Sequence, residues 1–240
     1  MAECPKCAAP SGDDAVDCPQ CGVVFAKFQR RAAVATLGAA ADTRAGRVSA
    51  ALRDPTVGVV RLGRAALLVG LLVWTVQFAR APMSAENVSP ILHMPNLVFH
   101  EAGHVLFSLF GRFMTVLGGS LLQCLIPVIL AIAFLRQKNT FGAVVCTWWA
   151  GQNLLDLAPY IADARALELV LLGGKTGAEV EGHDWEFILT QLGWLHLDRT
   201  LGLAAYRTGL VIMFGALVWG AIYLLRHRES PVLTFPEDSA

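Results

Sequence analysis

An all-α membrane bundle of about five or six helices, with a small cysteine-bearing domain at its N-terminus, is the fold class this sequence predicts. Three observations carry that expectation. Hydrophobic residues make up 55% of the 240 and charged residues only 16%, against about 45–50% and about 25% in ordinary soluble domains. The apolar residues gather in blocks long enough to cross a bilayer. Four of the six cysteines fall within residues 4–21. The 19 basic and 19 acidic residues cancel, so neither a polyanionic partner nor nucleic acid is expected. The apolar content also excludes disorder over most of the chain.

Residues 1–28 form the cysteine domain, polar and rich in turn formers. Residues 29–57 read as an Ala- and Arg-rich linker. From Lys27 to Arg64, eight basic residues stand against Asp42 and Asp54. The positive-inside rule therefore places this end in the cytosol, with a bacterial inner membrane as the expected location. The first apolar block begins near Leu62, too late for a cleaved signal peptide. Residues 58–228 read as a polytopic membrane domain, and 229–240 as a tail.

A span needs about 20 apolar residues. Ala65–Ala79 is an uncharged run of 15 between Arg64 and Arg80, whose side chains can snorkel outward. Phe113–Leu135 supplies 23 uncharged residues, Asn139–Leu155 supplies 17, and Thr208–Leu225 supplies 18. Ile91–Gly111 has membrane length but carries His93, His100, Glu101 and His104. Residues 162–207 turn polar, with seven acids and four bases, and read as a loop with an interfacial helix around Trp185–Leu197. Five spans starting inside would leave Arg226 and Arg228 outside, against the charge rule. Either a sixth, re-entrant element lies in residues 162–197, or one of the five does not cross.

Cys4-Pro-Lys-Cys7 and Cys18-Pro-Gln-Cys21 form two C-x2-C turns ten residues apart. Each turn aims two thiolates at one ion, and two turns complete a tetrahedral zinc site. A cytosolic placement argues against disulfides, and the βαβ setting of a redox pair is missing. The segment resembles the small bacterial zinc ribbons, most closely in Cys18-Pro-Gln-Cys21-Gly-Val-Val-Phe-Ala-Lys27. So short a domain builds no core of its own, so its metal must supply folding energy. A protein partner is one use for it. Cys124 and Cys146 lie alone in apolar spans and read as packing residues.

His100-Glu101-Ala102-Gly103-His104 is H-E-x-x-H. On a helix, i and i+4 share a face, so both imidazoles can hold one zinc ion while Glu101 serves as general base. At membrane depth, ionisable groups are costly and functional by default.

Around Phe99–Phe107, and more loosely through Pro159, the chain resembles the site-2 protease group of intramembrane zinc metallopeptidases. The resemblance implies cleavage of membrane-protein substrates in or near their transmembrane segments. It also implies a third ligand on a later span, an aspartate in an N-x2-P-x2-L-D-G context. Gly118-Gly119-Ser120 opens the next span with small residues suited to close helix approach. Leu155-Asp156 matches part of the aspartate pattern, although Leu157 replaces its glycine and Asn153 and Pro159 stand at other spacings. Depth favours Asp156. It lies about 22 Å along its helix from Phe141, and His104 about 20 Å from Ile91. His183, in Gly182-His183-Asp184-Trp185, and Asp163 are the alternatives; Asp163 could also stand behind a ligand. Asn153 is a candidate oxyanion donor. His93, His196 and His227 read as interfacial bystanders. Two competing readings are an inactive membrane scaffold or metal sensor, and an HtpX-like metallopeptidase with its site outside the lipid. The apolar flanks Asn96–Phe99 and Val105–Phe110 disfavour the latter, and retention of Glu101 disfavours the former.

Overall fold

The two cysteine turns are built alike. A computed structural model of the chain describes residues 2–12, 15–29, 55–80, 83 and 90–226. Most of the linker, the tail and His227 lie outside those residues. Residues Met1–Val60 group with Glu229–Ala240 as one compact unit, and Arg61–Arg228 form the other. In the first unit, β1 (Ala2–Glu3) pairs antiparallel with β2 (Pro10–Ser11). In the first turn the Cys4 N–H donates to Ala9 O, and the Ala8 N–H to Cys4 O. In the second, the Cys18 N–H donates to Val23 O, and the Gly22 N–H to Cys18 O. Ala8 and Gly22 occupy equivalent left-handed positions, at φ 58° and 69°. Cys4, Ala9 and Cys18 are buried, with Cys21, Val23 and Phe25 packed around them.

The remaining described elements are helical: α1 (Pro55–Arg80), α2 (Pro90–Phe107), α3 (Arg112–Arg136), α4 (Thr140–Ala162), α5 (Asp184–Gln191) and α6 (Asp198–Arg226). Three stretches are long and apolar enough to cross a membrane: Gly58–Arg80, Arg112–Arg136 and Leu195–Arg226. They expose apolar side chains such as Val69, Ile129 and Val218, as lipid-facing helices should. The expected spans over Ile91–Gly111 and Asn139–Leu155 do form helices, α2 and α4. Both carry polar side chains that converge inside the unit, which dilutes their hydropathy. Helix α6 begins at Asp198, ten residues before the expected Thr208; the buried Asp198 carboxylate accepts from its neighbour Arg199 N–H at 2.7 Å and pairs with Arg165, also at 2.7 Å. Of the helix expected around Trp185–Leu197, the structure forms α5, followed by a short turn over Leu195–Leu197.

The central helix is α4, buried along most of its length. Asn139 caps its start, accepting from the Gly142 N–H at 3.0 Å. It packs chiefly on α6, where small residues set the approach. A Cβ on Gly151 would lie 2.7 Å from Gly209 O, and one on Gly202 would lie 2.7 Å from Ala158 O. Leu68 and Leu71 of α1 join Phe141, Val144, Trp148, Leu155, Met213, Ala216 and Leu217 in one core. Trp148 Nε1 donates to Thr75 Oγ1 at 2.8 Å within it. Cys146 is buried and Cys124 half-buried, both unpaired, in keeping with packing roles. On the other side, α2 and α3 form a tight hairpin through Gly111, and a Cβ on Gly103 would lie only 2.1 Å from Gly118 O.

Candidate metal centres

Two groups of side chains could hold metal ions, and in each the ligand atoms lie within 4.8 Å of one another. In the first, Cys4 Sγ lies 3.7 Å from Cys21 Sγ, and Cys7 Sγ lies 3.7 Å from Cys18 Sγ. Sulfurs about 2.3 Å from a tetrahedral ion stand roughly 3.8 Å apart, whereas a disulfide needs about 2.05 Å. Burial raises the Cys4 thiol, but the backbone N–H groups of Lys6 and Cys7 and the neighbouring thiols outweigh it, leaving Cys4 at about 6. The Ala9 N–H pulls Cys7 down, yet its sulfur neighbours and burial push it up to about 12. Cys4 thus gives up its proton more readily than Cys7.

The second group is His100, His104 and Asp184. The α2 hairpin with α3 fixes both rings. His100 Nδ1 lies 3.0 Å from Gln123 Oε1, and His104 Nδ1 lies 2.9 Å from Thr115 O. Both partners only accept, so each Nδ1 carries the hydrogen and each Nε2 is left with a lone pair. Those Nε2 atoms face one carboxylate oxygen, Asp184 Oδ2, at 2.9 and 3.2 Å. Three acceptors pointing together repel unless a cation or added protons join them. Nitrogen and oxygen ligands about 2.0–2.1 Å from a tetrahedral ion stand roughly 3.3 Å apart, close to what is found. Gly119 makes room for the pair: its Cβ would lie 2.6 Å from His104 Nε2 and 2.7 Å from His100 Nε2.

Asp184 reaches the histidines because the polar segment after α4 folds back over them. Tyr160 Oη accepts the Asp184 N–H at 2.9 Å, and Trp185 Nε1 donates to Ser120 Oγ at 3.2 Å. His183, the alternative ligand, does something else. Its Nδ1 accepts the Glu186 N–H at 3.1 Å, capping α5, and its Nε2 lies 3.4 Å from Asp163 Oδ2. Burial holds its pKa below the usual histidine value against the pull of Asp163 and Asp184. Asp163 also accepts from the N–H groups of Glu168 and Leu169, so it pins both ends of the fold-back and points at no imidazole of the metal group.

Asp156, expected as third ligand, is placed elsewhere. Its oxygens are occupied by His93 Nδ1 at 3.0 and 3.2 Å, Asn96 Nδ2 at 3.1 Å and Gln123 Nε2 at 3.1 Å. Those partners saturate the carboxylate. They also make it a support: Gln123 joins Asp156 to His100, orienting the ring from behind. His93 is therefore a partner of Asp156 and no bystander, whereas His196 is exposed. Asn153 is fully buried; its Nδ2 donates to Trp149 O and its Oδ1 has no partner among the described residues. It does not line the cavity that opens onto the metal group.

That cavity, about 650 Å³, is lined by His100, Glu101, His104, Tyr160 and Asp184, with His93 and Asp156 farther along. Leu169–Leu172 of the fold-back form an apolar stretch of its wall, with Val180, Glu181 and Gly182 also lining it. No protein-family model, curated protein or solved structure matches the chain.

Proposed function

We propose that this protein is an intramembrane zinc metalloprotease that hydrolyses peptide bonds in or near transmembrane segments of membrane proteins. The observation that carries this reading is the convergence of two Nε2 lone pairs and the Asp184 carboxylate beside Glu101, at the edge of one cavity. A two-nitrogen, one-oxygen set with space before it suits catalytic zinc, which keeps an open position. His100, His104 and Asp184 would hold that ion. When bound, it supplies Lewis acidity and lowers the pKa of water in the open position toward 7. Glu101 takes the proton of the attacking water and returns it to the leaving amine. The apolar wall Leu169–Leu172 suits an apolar segment unwound from a bilayer.

In this reading α2 and α4 also cross the membrane, α4 buried among its neighbours and α2 with Val98 and Val105 turned outward, giving five spans and leaving Arg226 outside as an exception to the charge rule. The N-terminus faces the cytosol of a bacterial inner membrane. The cysteine group holds a second, structural zinc ion, and its ribbon is the surface for a protein partner. The test is Glu101→Gln in the full chain, reconstituted in vesicles with a single-pass substrate. It should retain about two zinc ions per chain while cleavage disappears; cleavage at the parent rate would overturn the mechanism.

A further inference from the structure

A protease of this kind needs a donor for the carbonyl oxygen that becomes negative as water adds, and Asn153 does not reach the cavity. The geometry points to Tyr160: we propose that its phenol is a catalytic residue, donating its O–H to that oxygen. This rests on the protease reading above. Tyr160 lines the same cavity as Glu101 and the three candidate ligands. Its oxygen already accepts the Asp184 N–H at 2.9 Å. One lone pair is thereby used, and the hydroxyl hydrogen has no acceptor among the described residues. A donor without an acceptor, on a residue that lines the cavity beside the reacting groups, is what a developing oxyanion requires. Two rings fix its position, His183 at 4.4 Å and His100 at 6.2 Å between centroids, so little reorganisation is needed. The N–H bond it accepts also polarises the hydroxyl, making it a better donor.

The step balances. The water oxygen forms a bond to the carbonyl carbon, Glu101 takes the water proton, and the carbonyl π pair moves to oxygen, where Tyr160 donates. Collapse restores the carbonyl and breaks the C–N bond, and Glu101 returns the proton to nitrogen.

Tyr160→Phe keeps the ring and removes only the hydroxyl. In vesicle-reconstituted full-length protein, kcat should fall about 10²-fold, with KM within about twofold and zinc content unchanged. Calorimetric affinity for a phosphinic peptide, which mimics the charged tetrahedral oxygen, should fall by a similar factor. A variant within about threefold of the parent in both readouts overturns the proposal. So does a variant that loses zinc in proportion to activity, since the hydroxyl would then serve only to position Asp184. A parent that neither cleaves nor binds the phosphinic peptide overturns the protease reading, and this inference with it. A cleaving parent with an unimpaired Tyr160→Phe variant overturns this inference alone.

Discussion

The cysteine group and the histidine group differ in how their ligands are brought together. Cys4 to Cys21 are neighbours in sequence, and two turns with the same hydrogen bonds present them. His100 and Asp184 are 84 residues apart, and only the packing of α2, α3, α4 and the fold-back segment makes them meet. The first site is held by local turns and has almost no core beneath it; the second is a by-product of a folded bundle. Metal and fold should therefore be inseparable in one and separable in the other.

The largest effect is expected where metal and fold are one. Cys18→Ser should cost the N-terminal domain its metal and its structure together, because such an ion supplies about 10–16 kcal/mol of folding energy. Elemental analysis should show one metal fewer per chain, and limited proteolysis should open residues 2–29 while 61–226 stay protected. A protected, folded N-terminal domain in that variant would break the comparison. Asp184→Ala should do the reverse: the histidine-site metal is lost, but the α4–α6 core persists and thermal unfolding moves little.

Asp156→Ala should keep both metals and lose stability by about 1–3 kcal/mol, since His93, Asn96 and Gln123 are left around an unfilled polar position. Metal loss in Asp156→Ala with retention in Asp184→Ala would return the third-ligand role to Asp156. Gly119→Ala sharpens the same point sterically. A methyl 2.6–2.7 Å from both Nε2 atoms must push the rings aside, so metal affinity should drop at least tenfold with the helices intact.

This contrast also explains what could be read from the residues alone. C-x2-C and H-E-x-x-H are local patterns whose geometry follows from one turn or one helix, so Cys4, Cys7, Cys18, Cys21, His100 and His104 could be grouped without a fold. The third member depended on how residues 163–184 return to α2 and α3, and depth along a helix said nothing about that. Asp156 lies on a long helix near the right level, yet level does not tell whether a carboxylate is free or already taken by three donors. In Gly182-His183-Asp184-Trp185 the sequence pattern points to His183, the commoner metal ligand. That residue had a stronger local use: capping α5 left its neighbour to face the histidines. The span count was blurred for a related reason, since α2 and α4 are polar where they face one another and apolar elsewhere.

The smallest effect lies within the cysteine domain, where its two turns can be compared directly. Gly22 sits at φ 69° and Ala8 at φ 58°, with the same pair of backbone hydrogen bonds around each. An L-residue there carries a left-handed penalty of roughly 1–2 kcal/mol, while glycine adds about 0.5–1 kcal/mol of chain entropy to the unfolded state. Ala8→Gly should therefore stabilise the domain by about 0.5–1 kcal/mol, seen as slower metal release to a chelator. Gly22→Ala should lose a similar amount and release metal faster. Release at the parent rate in both variants would mean that the left-handed residue limits neither turn.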